Sequence, residues 1–225
     1  SILTFAALVI VFLHGMPYLV DWYYASDTDI ALLYAFFFTA VFFIANIFGL
    51  MANAREGNRV PHILIAIGTG LYLILWITGA ASPEWQSLLY VMWMLVFSLG
   101  SFIVYRALHD RVPFYIYGGT SLVLLGAATA AELNGAALTI AYTSEVALLV
   151  LLTLAIVKNT RLAAYLSLLF ALPLLLSIEH VDSVAWQSGI FHRDFFALLF
   201  LTVLMAGVAY ALRTQKDEQG ASSHD

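Results

Sequence analysis

Long apolar stretches, separated by short polar connections, occupy nearly the whole of this chain. Of its 225 residues, 63% are hydrophobic and only 10% are charged, which is far from the balance of a soluble globular domain. Most stretches are about 20 residues long, and a helix of that length crosses the ~30 Å hydrocarbon layer of a membrane. We therefore predict an all-α integral membrane protein, a bundle of eight transmembrane helices arranged as sequential antiparallel hairpins. The predicted helices cover residues 2–21, 29–53, 61–81, 85–108, 113–133, 135–157, 161–178 and 193–212.

The nine Lys and Arg residues are distributed very unevenly among the connections. Arg193 alone belongs to the odd-numbered connections, which follow the first, third, fifth and seventh predicted helices. The even-numbered connections and the C-terminal tail hold the others, which are Arg55, Arg59, Arg106, Arg111, Lys158, Arg161, Arg213 and Lys216. Because positive residues accumulate on the cytoplasmic side of a membrane, both termini are predicted to be cytoplasmic. The short loops and the lack of an Asn-x-Ser/Thr glycosylation site favour a prokaryotic plasma membrane.

No segment of the chain has the composition of a separate soluble domain. We expect one transmembrane helical domain over residues 1–213 and a short polar cytoplasmic tail over residues 214–225. Cysteine is absent, which excludes disulfides, thiolate nucleophiles and cysteine metal ligands. A basic stripe for nucleic acid is absent as well. The sequence also lacks a GxSxG elbow and a glycine-rich phosphate loop.

Glu145 is the one carboxylate predicted to lie near the middle of the membrane. A charge at that depth costs ~3 kcal/mol or more, so its side chain should face protein or water, or be neutral. Tyr142 lies one turn earlier on the same helix face, and Thr39 and Thr202 lie at similar depth on other helices. This set is either a proton or cation site within a transport pathway or a hydrogen-bonded group that fixes helix packing.

Three histidines and an aspartate are predicted to lie on the outer side. His14 is in the outer half of the first helix, and His180, Asp182 and His192 belong to the long connection before the last helix. Imidazoles and carboxylates together are ligands for zinc or another divalent ion. A divalent metal at this face is the only cofactor that the sequence suggests. The alternative is a solvated amphipathic loop without a ligand.

Three stretches of the sequence resemble a known family. Residues 55–76 run from a basic turn into an apolar helix with a central Thr and a terminal Trp. Residues 135–161 place a Glu in a Leu-rich helix before a short basic turn, and a polar His192-Arg193-Asp194-Phe195 segment precedes the last helix. Together these stretches resemble the C-terminal part of the DUF2339 family of polytopic membrane proteins.

The resemblance covers most of the chain and implies a multi-helix membrane protein without an assigned activity. In that comparison Glu145 matches a recurrent glutamate of the family. The last connection departs from the family pattern, because an Asn expected near His192 is absent. Members of the family are also much longer than this chain.

Three functions are compatible with these features. The first is a non-enzymatic integral membrane component, or a subunit of a larger assembly, with membrane lipids and other membrane subunits as partners. The second is a transporter of a small solute, an ion or protons that uses Glu145. The third is a metal-dependent hydrolase acting at the outer membrane face. We expect no enzymatic activity, since no catalytic motif supports the third function.

Overall fold

The computed structural model describes residues 2–23, 29–52, 60–108, 111–181, 183–189 and 191–221. Nearly all of these residues are helical, and no β-strand occurs within these ranges. Among them are seven helices long and apolar enough to cross a membrane, and a shorter apolar helix, Leu3–Gly15, precedes these seven. The chain is therefore an all-α integral membrane protein, and the predicted fold class is confirmed.

The chain divides into two compact units, residues 1–131 and residues 132–225. The first unit is built around α3, whose side chains are buried on most turns because it packs against α1, α2 and α4. Leu73 and Ile77 of this helix belong to one apolar core with Phe97 and Leu124. The helices of this unit are α1 (Ile2–Tyr23), α2 (Asp29–Ala52), α3 (Val60–Ala80), α4 (Pro83–Leu108) and α5 (Arg111–Glu132).

Two glycines allow helices of the first unit to approach one another closely. A Cβ atom at Gly70 of α3 would overlap Cγ2 of Thr120 on α5, and one at Gly100 of α4 would overlap the ring of Phe43 on α2. Small residues at such contacts matter in lipid, where helices associate through packing rather than through the hydrophobic effect.

The second unit is less regular than the first. Its most extensive contact is between α6 and α9, and α8 packs against both. Val146 and Val150 of α6 meet Leu201 and Val208 of α9 in the core of this unit. Its helical segments are α6 (Gly135–Leu152), a π-helical turn (Thr153–Val157), α7 (Thr160–Leu166), a 3-10 turn (Ser167–Phe170), α8 (Ala171–Val181), a second 3-10 turn (Val184–Ser188) and α9 (Arg193–Ala221).

The chain reverses direction between the π-helical turn and α7. Lys158 adopts a left-handed conformation with φ of 53°, and its N–H donates to the carbonyl of Thr153 at 3.0 Å. The side chain of Asn159 then accepts a hydrogen bond from the N–H of Leu162 at 2.9 Å. A left-handed residue ends one helix and an asparagine side chain caps the next, so these two residues make the turn.

The helix predicted over residues 161–178 is interrupted in the structure. Pro173, in the first turn of α8, has no N–H to donate to the carbonyl of Leu169, and its ring crowds that carbonyl. The segment before it accordingly tightens into the 3-10 turn Ser167–Phe170. The boundary prediction at this end is wrong, because α8 continues to Val181 and takes His180 into its last turn. The last helix also continues beyond its predicted end at residue 212, as far as Ala221.

Candidate functional site

Polar side chains of the second unit converge where α6 begins, α8 ends and α9 begins. His180 is at their centre, and its side chain is buried in the last turn of α8. Its Nε2 atom lies 2.9 Å from Oγ1 of Thr139 on α6, and its Nδ1 atom lies 3.1 Å from Oδ1 of Asp194 on α9. Ser183 completes the group, since its hydroxyl donates to Oδ2 of Asp194 at 2.6 Å. We call Thr139, His180, Ser183 and Asp194 the polar cluster.

The positions of these residues follow from the helix ends. Asp194 lies in the first turn of α9, where the positive end of the helix dipole stabilises a carboxylate. The adjacent Arg193 donates from its guanidinium to the carbonyl of Asn134 at 3.3 Å, which attaches the start of α9 to the start of α6. Thr139 lies one turn into α6, at the level of this contact.

The hydrogen-bond partners within the polar cluster determine which of its atoms carry hydrogens. An ionised carboxylate only accepts hydrogen bonds, so Nδ1 of His180 must carry a proton towards Asp194. In a neutral imidazole Nε2 is then an acceptor, and it receives the hydroxyl hydrogen of Thr139. That hydroxyl also lies 3.4 Å from the carbonyl of Gly135, which is a long contact for a hydrogen bond.

Two aromatic rings lie beside the polar cluster. The indole N–H of Trp186 donates to the carbonyl of His180 at 2.9 Å. The ring of His192 stands edge-on to that of Trp186, with 4.4 Å between their centroids. Nδ1 of His192 accepts from the N–H of Phe195 at 3.4 Å and so helps to cap α9. Its Nε2 atom is buried without a hydrogen-bond partner among the described residues.

The order hydroxyl, imidazole, carboxylate is also that of nucleophile, base and orienting group in serine hydrolases. A nucleophile must be reached by its substrate, yet Thr139 is 0% exposed. Both ring nitrogens of His180 and both oxygens of Asp194 are also occupied by partners within the chain. The arrangement is therefore suited to fastening three helices together.

The predicted metal ligands are divided between the two units. His180 and His192 lie at the same end of the second unit, whereas His14 is exposed on α1 of the first unit. Asp182 lies outside the described residues. No group of three or more His, Asp or Glu side chains suited to one metal ion occurs in the part of the chain that the structure describes. A metal site that includes Asp182 stays a prediction.

Glu145 lies at the centre of the membrane span Gly135–Ala155. It is half-buried, as is Tyr142 one turn earlier, and the two side chains interact electrostatically. Thr202 is exposed on α9, and its hydroxyl donates to the carbonyl of Leu198 at 2.8 Å. Thr39 belongs to the first unit, where its buried hydroxyl has no hydrogen-bond partner among the described residues. Of the predicted intramembrane set, Tyr142 and Glu145 thus lie one turn apart on α6, and Thr39 and Thr202 lie on α2 and α9.

The prediction from the sequence did not include Thr139, Ser183 or Asp194 as site residues. Their depth in the membrane could have indicated them. All three lie within about one turn of a helix end, and an antiparallel arrangement brings these ends to the same side of the membrane. The prediction also overlooked His62 in α3, which is buried against α2.

No family model, no curated protein and no solved structure matches the chain.

Proposed function

We propose that the chain is a non-enzymatic integral membrane component that serves as a subunit of a larger membrane assembly. The main support for this proposal is that the members of the polar cluster are hydrogen-bonded to one another. Thr139 has no exposed surface, and the hydrogen bonds of His180 and Asp194 are directed at other residues of the same unit. Polar groups that satisfy one another hold helices in place, and the one hydroxyl beside the imidazole, that of Thr139, is closed to a substrate.

The surface of α9 supports a role in assembly. Thr202, Ala206 and Gly207 are exposed on this helix, and a Cβ atom at Gly207 would meet no other atom within 4 Å. Small exposed residues at helical spacing let a second membrane helix approach the backbone closely. The partner we propose for this face is a transmembrane helix of another chain.

A photo-crosslinking experiment in native membranes tests the assembly role. A benzophenone side chain at Val203, on the exposed face of α9, should give one discrete adduct with the mass of a second protein chain. The matched position is Leu172, which is exposed on α8 and should give lipid adducts. Lipid adducts alone at both positions, combined with a single copy of the chain by native mass spectrometry, would refute the proposal.

The location proposed for this component is a prokaryotic plasma membrane, with both termini in the cytoplasm. The distribution of basic residues supports this orientation, because eight of the nine lie in the even-numbered connections and the tail. Membership in the DUF2339 family is likewise a proposal, and it rests on the resemblance of the sequence stretches given above.

The environment of Glu145 favours a second candidate function, which is proton or cation transport. A carboxyl group at the centre of a span, half-buried and beside a phenol, is a typical element of a proton pathway. The test is proton flux into proteoliposomes that carry a pH-sensitive dye and a potassium diffusion potential. Flux that disappears in Glu145→Gln would establish transport, and the absence of flux in the wild-type chain would leave the structural role of Glu145.

A further inference from the structure

The connection between α8 and α9 is folded back onto the two helix ends that it joins. Its 3-10 turn, Val184–Ser188, is attached to α8 through Trp186, whose indole N–H donates to the carbonyl of His180 at 2.9 Å. The connection is attached to α9 through Ser183, whose hydroxyl donates to the carboxylate of Asp194 at 2.6 Å. These two hydrogen bonds hold the connection at the level of the helix ends.

Aromatic packing makes the same connection compact. The ring of Phe195, in the first turn of α9, is contacted edge-on by Trp186, with 6.4 Å between the centroids, and by Phe191 at 5.8 Å. Gly189 follows the 3-10 turn with φ of 134°, a conformation that only glycine adopts without strain. The glycine therefore allows the backbone to turn towards α9 directly after the 3-10 turn.

Two large apolar side chains of this compact connection are nevertheless exposed. Val184 is 76% exposed and Phe191 is 82% exposed. Both are held in place by the contacts around them, so neither can withdraw into the core of the second unit. Apolar surface of this kind is unfavourable in water and favourable in a lipid environment.

The connection lies where the hydrocarbon layer meets the lipid headgroups. The membrane span that contains α8 ends at Val181, and the next span begins at Arg193. Since the connection is held at these two ends, Val184 and Phe191 lie at the depth where apolar and aromatic side chains enter the membrane interface.

The exposed surface of the two side chains also continues that of the spanning helices. Val184 lies three residues after Val181, which is exposed in the last turn of α8. Phe191 contacts the ring of Phe195, and the next residue, Phe196, is exposed in the first turn of α9. In an integral membrane protein, exposed apolar faces of spanning helices contact lipid, so lipid is also the occupant that fits the connection.

We propose that Val184 and Phe191 insert into the lipid interface and make this connection a membrane anchor for the ends of α8 and α9. Trp186 has a different part from that of an ordinary interfacial tryptophan, because its N–H is bound within the chain. It fixes the shape of the connection, while the two exposed side chains supply the contact with lipid. The inference is independent of the proposed function and of which leaflet the connection faces.

Fluorescence quenching tests the proposal on the purified full chain in phospholipid vesicles. The chain has no cysteine of its own, so Val184→Cys and Phe191→Cys each carry a single NBD label. The quenchers are iodide on both sides of the vesicle membrane, a lipid with a nitroxide near its headgroup and a lipid with a nitroxide near its chain end. Both labels should lose most of their fluorescence to the nitroxide near the headgroup and little to iodide.

Two matched positions calibrate the measurement. Gln187 is exposed in the same 3-10 turn, and a label on Gln187→Cys should be quenched by iodide because a polar side chain there faces water. Leu172 is exposed near the middle of the span Thr160–Val181, and a label on Leu172→Cys should be quenched most by the nitroxide near the chain end.

Each possible pattern of quenching decides the proposal. Iodide quenching at Val184 and Phe191 as strong as that at Gln187 would place both side chains in water and overturn it. Protection from iodide and from both nitroxides would mean that protein, such as a second copy of the chain, covers the surface, and would overturn it as well. Lipid contact at one position and water contact at the other would contradict an anchor made by both residues.

Discussion

His180 at the end of α8 and Asp194 at the start of α9 are joined by a contact of 3.1 Å between Nδ1 and Oδ1. The carboxylate also receives the hydroxyl of Ser183, from the segment that connects the two helices. The last turn of α8, the first turn of α9 and Ser183 of the connection between them thus meet at one carboxylate. This relationship predicts that the second unit depends on His180 for the geometry of its last two helices.

Replacement of His180 by alanine should lower the free energy of unfolding by about 1–3 kcal/mol, because it leaves the buried hydroxyl of Thr139 without its partner. Thermal denaturation in detergent or nanodiscs measures this loss. The control is Glu179→Gln, which changes an exposed neighbour in the same helical turn and should shift the midpoint very little. Equal midpoints for the two variants would show that the cluster contributes nothing to stability.

Glycine-to-alanine substitutions should change stability differently on tightly packed and on open helix faces. Gly70→Ala should destabilise the first unit by about 1–3 kcal/mol, because the new methyl group overlaps Thr120, whose hydroxyl is bound to the carbonyl of Ile116 at 3.0 Å. In the purified single chain, Gly207→Ala, where 4 Å around the Cβ position is empty, should instead be neutral or stabilise by up to about 1 kcal/mol, since alanine favours helices.

A compensating substitution tests the cause of the Gly70→Ala effect. Thr120→Ser removes the methyl group that the new Cβ would strike but keeps the hydroxyl. The double variant should therefore recover most of the stability that Gly70→Ala loses, as measured by the midpoint of thermal unfolding. If the two substitutions destabilise additively, the steric explanation is wrong.

Substitutions at Glu145 distinguish packing from transport. Glu145→Gln keeps the shape and a hydrogen-bonding amide, so a purely structural role predicts a midpoint close to that of the wild-type chain. Glu145→Leu should lower the free energy of unfolding by about 1–3 kcal/mol, because the groups that interact with the carboxyl lose their partner. If Gln destabilises as much as Leu does, ionisation rather than hydrogen bonding is what the fold requires.

Membrane orientation can be decided by labelling single cysteines in whole cells. The chain has no cysteine of its own, so each introduced thiol reports one position. Glu84→Cys and Gln187→Cys, both exposed in the structure, should react with an impermeant maleimide from outside. Asn58→Cys and Asp110→Cys should react only after permeabilisation. The reverse pattern would invert the proposed topology.

The sequence was sufficient to predict the helical segments, because length and hydropathy alone decide whether a helix can cross a membrane. The helix predicted over residues 161–178 is present as a span, but the change of helix geometry before Pro173 was not predicted, because hydropathy is continuous there. The prediction also put His180 in a loop, since the apolar run ends at Ile178 while the backbone hydrogen bonds of α8 continue to Val181.

The polar cluster was harder to predict, for a physical reason. Hydropathy treats Thr139 as a neutral residue in an apolar helix and Asp194 as a charge at a helix end, yet their importance comes from the helices that are next to them. The neighbours of a membrane helix are set by packing, which a single sequence does not reveal. Glu145 was the opposite case, because a lone carboxylate in an apolar stretch is conspicuous without any knowledge of its neighbours.

The π-helical turn Thr153–Val157 has a consequence for how this chain tolerates changes in length. A π turn contains about one residue more than the α-helical turn it replaces. Deleting one residue within it should therefore convert it to regular α-helix and leave α6 in register with α9. The same deletion in the middle of α6 would rotate every following side chain by about 100° and take the apolar face away from its partners. The turn is thus a position where the length of the chain can vary without a change in how its helices pack.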